Sequence, residues 1–176
     1  CKAMATLLVP DRHVHLTDTD EIRRFLHQRG IRYEHRPIEP LPAEASDTTV
    51  LTMHDDWLQP FMRQHGYRTA DVIRVSPATP NLAAIRDKFL REHTHSEDEV
   101  RFFAEGEGLF WFHLEGVHDD VLSVRCQAGD LLSVPANTKH WFDLGPTPQV
   151  CAIRIFTDQA GWVPHYTDSG IEQRYR

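Results

Sequence analysis

The sequence predicts a mainly β protein, a barrel or sandwich of short strands with helices packed on its outside. Three observations carry this expectation. From Phe89 onward the hydrophobic period changes from helical to two. Short apolar runs there alternate with Gly, Pro and Asn turn signals, and the helical patterns all fall before residue 90.

Taken in order, Asp18-Thr19-Asp20-Glu21 followed by Ile22, Phe25 and Leu26 reads as a capped amphipathic helix that Gly30 stops. Ile31 to Ile38 alternates as a strand, ended by Pro40 and Pro42. Thr48 to His65 reads as helix with Leu51, Leu58, Phe61 and Met62 on one side. Pro60 lacks an N–H and its ring crowds the preceding turn, so it should split this helix or start a second one. Ala70 to Val75 is a strand closed by Pro77, and Pro80-Asn81 opens a short helix through Leu82, Ile85 and Phe89.

The β body then offers strands at Glu99–Glu105, Leu109–Leu114, Val121–Cys126, Asp130–Val134, His140–Leu144 and Cys151–Phe156. Turn signals at Gly106-Glu107-Gly108, Gly116 to Asp120, Gly129-Asp130, Ala136-Asn137 and Gly145-Pro146 separate them. The tail from Gly161 holds aromatic residues but little periodicity. At 176 residues one domain is expected: a mixed helical part over 1–90, the barrel over 91–160 and a tail over 161–176.

Composition narrows the function. A formal charge of −7 argues against nucleic acid as the main partner, because phosphate binding needs a surplus of Lys and Arg. Apolar runs are strand-length, too short to span a membrane, and no secretory signal is read at the N-terminus, so a cytoplasmic location is expected. Three cysteines, Cys1, Cys126 and Cys151, show no CxxC spacing and read as incidental or buried thiols. Histidine is enriched, with 12 in the chain, and it is the commonest metal ligand, so position has to decide what the count means.

Arg91-Glu92-His93-Thr94-His95-Ser96-Glu97-Asp98-Glu99 is the most informative stretch. In an extended strand residues i and i+2 share a face, so His93 and His95 converge, and Glu99 can join them from the start of the next strand. Two imidazoles and a carboxylate suit a redox-active first-row metal. His13-Val14-His15 has the same spacing without a following acid and reads as surface. Downstream, Gly129 to His140 is a turn, an apolar strand, a second turn and a histidine opening another strand, which in a rolled sheet places His140 on the inner wall facing the first pair.

Together these segments resemble the paired motifs of the cupin superfamily. His93, His95, Glu99 and Gly106 fit the first motif, with Asp87 where a leading glycine is usual. Gly129, Pro135 and His140 fit the second, with Asn137 in place of its middle glycine and Leu144 in place of its final asparagine. Asn is a tolerable substitute there because it accepts left-handed backbone. The resemblance implies a cupin (jelly-roll) barrel. His93 to Phe103, Pro135 to Asp143, Ile153-Arg154-Ile155-Phe156 leading to Gly161-Trp162-Val163-Pro164, and Gly66-Tyr67 with Ala70 to Ile73 are further similar to the acireductone dioxygenases of methionine salvage.

That resemblance implies one Fe(II) or Ni(II) per chain, held by His93, His95, Glu99 and His140. It implies acireductone (1,2-dihydroxy-3-oxo-5-methylthiopentene) and O2 as the small-molecule partners. With iron the family yields 4-methylthio-2-oxobutanoate and formate; with nickel, 3-methylthiopropanoate, formate and carbon monoxide. Another metal cupin enzyme, or a non-catalytic ligand-binding cupin, is the alternative. Arg101, two residues beyond Glu99, should turn to the ligand face and hold the deprotonated substrate. Arg154 sits in an apolar strand, where a charge is costly unless paired, and reads equally as a substrate residue or a structural ion pair. Phe89, Phe102 or Phe103, Phe142 and Trp162 are candidates for the methylthio pocket or for plain core. Glu92, Glu97 and Asp98 are candidates to accept the outer N–H of a ligand histidine. A monomer is expected rather than an oligomer.

Overall fold

The computed structural model describes residues 5–116, 120–158 and 163–175. Its strands are β1 (Thr6–Val9), β2 (Val14–Leu16), β3 (Tyr33–His35), β4 (Thr69–Val75), β5 (His93–Thr94), β6 (Glu99–Leu114), β7 (Asp120–Gln127), β8 (Asp130–Val134), β9 (Lys139–Asp143), β10 (Val150–Phe156) and β11 (His165–Tyr166). Four helices are interspersed: α1 (Thr19–His27), α2 (Asp47–Met53), α3 (Asp55–His65) and α4 (Leu82–Leu90). The pairings are antiparallel and form two sheets, β11-β5-β9-β6-β7-β1-β2 and β4-β10-β6-β8-β3. The long strand β6 belongs to both. This is the cupin barrel that the strand spacing and paired motifs lead one to expect.

The main departure from the sequence pattern lies within β6. Gly106-Glu107-Gly108 is not a turn; the chain runs on, bending from one sheet into the other. Opposite the Cys151–Ala152 step β6 carries one extra residue between Phe103 and Glu105, and Gly106 follows at φ +80°. Both glycines are there for close approach. A Cβ on Gly106 would come within 1.8 Å of the Gln149 carbonyl oxygen, and one on Gly108 within 2.1 Å of the Phe142 ring.

The extra residue reverses the facing of every later side chain. Before it, Phe103 belongs to the barrel interior while Val100 and Phe102 face the helices. After it, Phe110 and Phe112 point inward and Trp111 packs outward on Trp141.

The helices form where expected, with two differences. Asp18 caps α1 by accepting from the Glu21 N–H, and Ser46 caps α2 by accepting from the Thr49 N–H. The break between α2 and α3 falls at His54, and Pro60 sits inside α3. Pro60 is on the solvent face, so the backbone acceptor it leaves unpaired can be met by water. Val50, Leu58, Phe61 and Met62 pack against Phe102, Ile153 and Ile155 on the outer sheet face. α1 instead contributes Ile22 and Leu26 to the cluster that fills the barrel interior. The strand expected over 31–38 is confined to β3, and β1, β2 and β11 form in segments without a strand signal. His15 is exposed, in keeping with a surface role for the first His-x-His.

Candidate metal centre

β5 is a two-residue strand that places His93 directly opposite His140 of β9. Glu99 opens β6. The two motif segments are tied together by backbone: the Asn137 N–H donates to the His95 carbonyl (2.8 Å) and the Ala136 N–H to the Asp98 carboxylate (2.7 Å). Asn137 adopts φ +65°, the left-handed bend that its substitution for glycine requires.

The three imidazoles converge. Ring centroids of His93, His95 and His140 are 4.4 to 5.2 Å apart, and one ligand atom from each lies within 4.8 Å of the others. All three are buried. Each Nδ1 faces a backbone carbonyl: Arg91 at 2.7 Å for His93, Val163 at 3.3 Å for His95, Thr138 at 2.9 Å for His140. A carbonyl only accepts, so each Nδ1 carries the proton and each Nε2 of a neutral ring keeps its lone pair. Burial lowers the His93 imidazole to about 3, with His140 pushing the same way, and burial lowers His95 too. These rings are held neutral, the form that ligates a metal.

Glu99 lies beside two of these rings. Its Oε2 is buried, 3.4 Å from His95 Nε2 and 3.5 Å from His140 Nε2, without a hydrogen-bond partner. Two Nε2 lone pairs cannot donate to it, so the carboxylate oxygen is left facing other acceptors. A cation among these atoms resolves that arrangement, and three imidazoles with one carboxylate suit a divalent first-row metal. Burial disfavours the Glu99 charge, but the Arg101 guanidinium, together with His140 and His95, outweighs this and holds the carboxyl well below the usual range.

Arg101 is buried on the ligand face, its Nη2 2.5 Å from Glu99 Oε1, and surrounded by the rings of Phe89, Phe110 and Phe142. Arg154 lies opposite Arg101 in the sheet and forms a two-pronged pair with Asp71, at 2.8 and 2.5 Å. It also lines the cavity in front of the histidines, so its two readings are compatible. Phe89 and Phe142 line the same cavity; Trp162 lies outside the described residues. Lys88, Phe110 and Pro164 line it too and were not foreseen. Phe110 could not be, because its facing depends on the bulge in β6.

The expected acidic partners of the histidines are elsewhere. Glu92 accepts from His113, Thr167 and Ser169, Asp98 from Ala136, and Glu97 from Thr157. Backbone carbonyls take their place. A much wider groove of about 820 Å³ runs beside Arg32, His35 and Tyr67. Among the described residues the cluster able to hold a metal is nonetheless the histidine one, so chemistry rather than size picks out the site.

The barrel and this centre define a metal-type cupin. The family model ARD/ARD' matches residues 43–164. An acireductone dioxygenase of Picosynechococcus is 53% identical over 98% of both chains. One from Gluconobacter oxydans is 46% identical over 91% of this chain and 84% of its own. The solved acireductone dioxygenase of Bacillus anthracis, with a cadmium ion in its active centre, superposes with a TM-score of 0.85 at 34% identity, covering 94% of this chain and 100% of its own. The chain belongs to the ARD/ARD' family.

Proposed function

We propose that this chain is an acireductone dioxygenase, a metal-dependent enzyme that cleaves acireductone with O2, and that His93, His95, Glu99 and His140 hold its Fe(II) or Ni(II). The observation that carries the reading is the convergence of three imidazoles, each Nδ1 facing a carbonyl behind it, with the His95 and His140 Nε2 atoms set against a buried Glu99 oxygen that has no hydrogen-bond partner. Bound there, the metal supplies a Lewis acid and redox centre for the substrate's adjacent oxygens and O2.

The chain's own residues supply the rest. Carbonyl contacts at Nδ1 fix the rings in one tautomer and orientation. Arg101 places a permanent cation beside Glu99 at the cavity, where it offsets the charge of a deprotonated enediol. Phe89, Phe110 and Phe142 exclude water, which strengthens that electrostatic interaction and gives the methylthio end an apolar wall. The two atoms of O2 leave in the carboxylate products, with carbon monoxide as a third product when nickel is bound.

The test is metal analysis of the purified chain combined with oxygen uptake on acireductone and product identification. One metal per chain with oxygen consumption is expected, and formate alone or formate with carbon monoxide tells iron from nickel chemistry. Stoichiometric metal without oxygen uptake overturns the assignment. Replacing Arg101 by Ala should depress turnover by about 100-fold while metal content holds; loss of the metal as well would make Arg101 a support of Glu99 and nothing more.

A further inference from the structure

The buried carboxylate of Glu92 plays no part in the centre described above, yet it is 1% exposed and fully engaged. Thr167 Oγ1 donates to its Oε1 at 2.5 Å, Ser169 Oγ to the same oxygen at 2.8 Å, and His113 Nδ1 to Oε2 at 2.7 Å. The Thr167 N–H donates to its backbone carbonyl at 3.2 Å. Three of these four bonds come from the C-terminal segment, more than 70 residues away in sequence. A buried carboxylate is expensive unless it is satisfied in this way, so its presence asks what the arrangement holds.

It holds the stretch that backs the metal centre. Immediately before Thr167, β11 pairs with β5, Tyr166 against His93 and His165 against Thr94. The Tyr166 hydroxyl donates to the Lys88 carbonyl at 3.0 Å, which fixes the segment to the end of α4. Val163 supplies the carbonyl on His95 Nδ1, and Pro164 forms part of the cavity wall. Val163 is itself exposed, so local packing does not hold that carbonyl in place. Its position depends on what anchors the segment further along.

We propose that Glu92 is a positioning residue: it latches residues 163–169 across the strand of His93, so that the Val163 carbonyl keeps His95 in its ligating tautomer and Pro164 closes the pocket. The inference rests on the metal-centre reading above. Without the latch His95 loses the acceptor that selects its tautomer, and partners of this kind are typically worth about 10–100-fold in metal affinity.

The test is Ni(II) affinity of the full chain, measured by competition with a chromophoric chelator, beside the melting temperature of the metal-free protein. The informative variant is Thr167→Val with Ser169→Ala, which removes both hydroxyl donors to the Glu92 carboxylate while leaving Glu92, the Thr167 N–H bond and the barrel in place. Its Ni(II) affinity should fall by about 10-fold or more; the melting temperature, which also falls because Glu92 loses two donors, shows that the variant is folded at the assay temperature. Glu92→Ala should lose at least as much affinity. Glu92→Gln should recover most of it, because the amide oxygen still accepts from both hydroxyls.

Ni(II) affinity within twofold of wild type in the double variant overturns the proposal. So does a loss confined to Glu92→Ala, which would mean that Glu92 acts through its own strand. Wild-type protein that binds no divalent metal would sink the ligand assignment first and this inference with it.

Discussion

The two halves of β6 share one strand and nearly equal burial, yet they have opposite chemistry. Glu99 and Arg101, in the first half, are each 3% exposed and charged, paired with one another beside three imidazoles. Phe110 and Phe112, in the second half, are fully buried and packed in the apolar cluster that fills the barrel, with one edge of that cluster, Phe110, meeting the Arg101 guanidinium. Burying charge is unfavourable even when it is paired, whereas burying aromatic rings is the main favourable contribution to a core. The barrel therefore separates its duties along one strand. The second half holds the fold, and the first half is free to be arranged for a ligand rather than for stability.

The contrast can be broken most sharply at the polar end. His140→Ala should weaken metal binding by more than about 100-fold, beyond the effect of losing an outer partner, and abolish oxygen uptake on acireductone. The melting temperature of the metal-free protein should barely fall. If that variant instead unfolds as readily as a core truncation, the separation of duties is wrong.

At the apolar end the expectation reverses. Phe112→Ala should cost about 3–5 kcal/mol in urea denaturation, while the protein that remains folded binds metal with unchanged stoichiometry. The bend between the halves is more modest in effect. Gly106→Ala combines a positive φ with a Cβ driven into the Gln149 carbonyl, and should cost at least about 2 kcal/mol by the same measurement.

The smallest effect is in the pH profile. His93 and His95 have lower folded pKa values than the ordinary 6.5, so below that pH the unfolded chain binds protons that the folded chain refuses. Stability of the metal-free protein is complete above pH 6.5 and declines as pH falls toward about 3. Between pH 6.5 and 5.5 the loss should be about 1 kcal/mol for His93. Thermal melts across that range should show a shallower decline in His93→Gln. An equal decline would place the responsible titration elsewhere.

Much of the site was legible because its signals are local. His93 and His95 share a face by strand periodicity alone, Glu99 follows at a fixed spacing, and the turn around Asn137 needs left-handed backbone whatever the rest of the chain does. Arg154 shows where such reading stops. Its charge in an apolar strand signalled a need for a partner, but Asp71 is the partner because β4 and β10 pair in one particular register. The acceptor behind His95 is hidden for the same reason, since Val163 reaches it from 68 residues away, whereas Arg91 and Thr138 serve His93 and His140 from two residues away.

By itself, then, the sequence determined the strand-rich class, the four convergent side chains and the family to which they point. These depend on period and spacing, which the chain carries over a few residues. Tertiary structure alone decided the continuous β6 with its reversed facing, the Val163 carbonyl that sets the His95 tautomer and the C-terminal segment that backs the site. Each of those depends on which distant strand lies alongside, and register between strands is settled by packing that no short stretch of sequence contains.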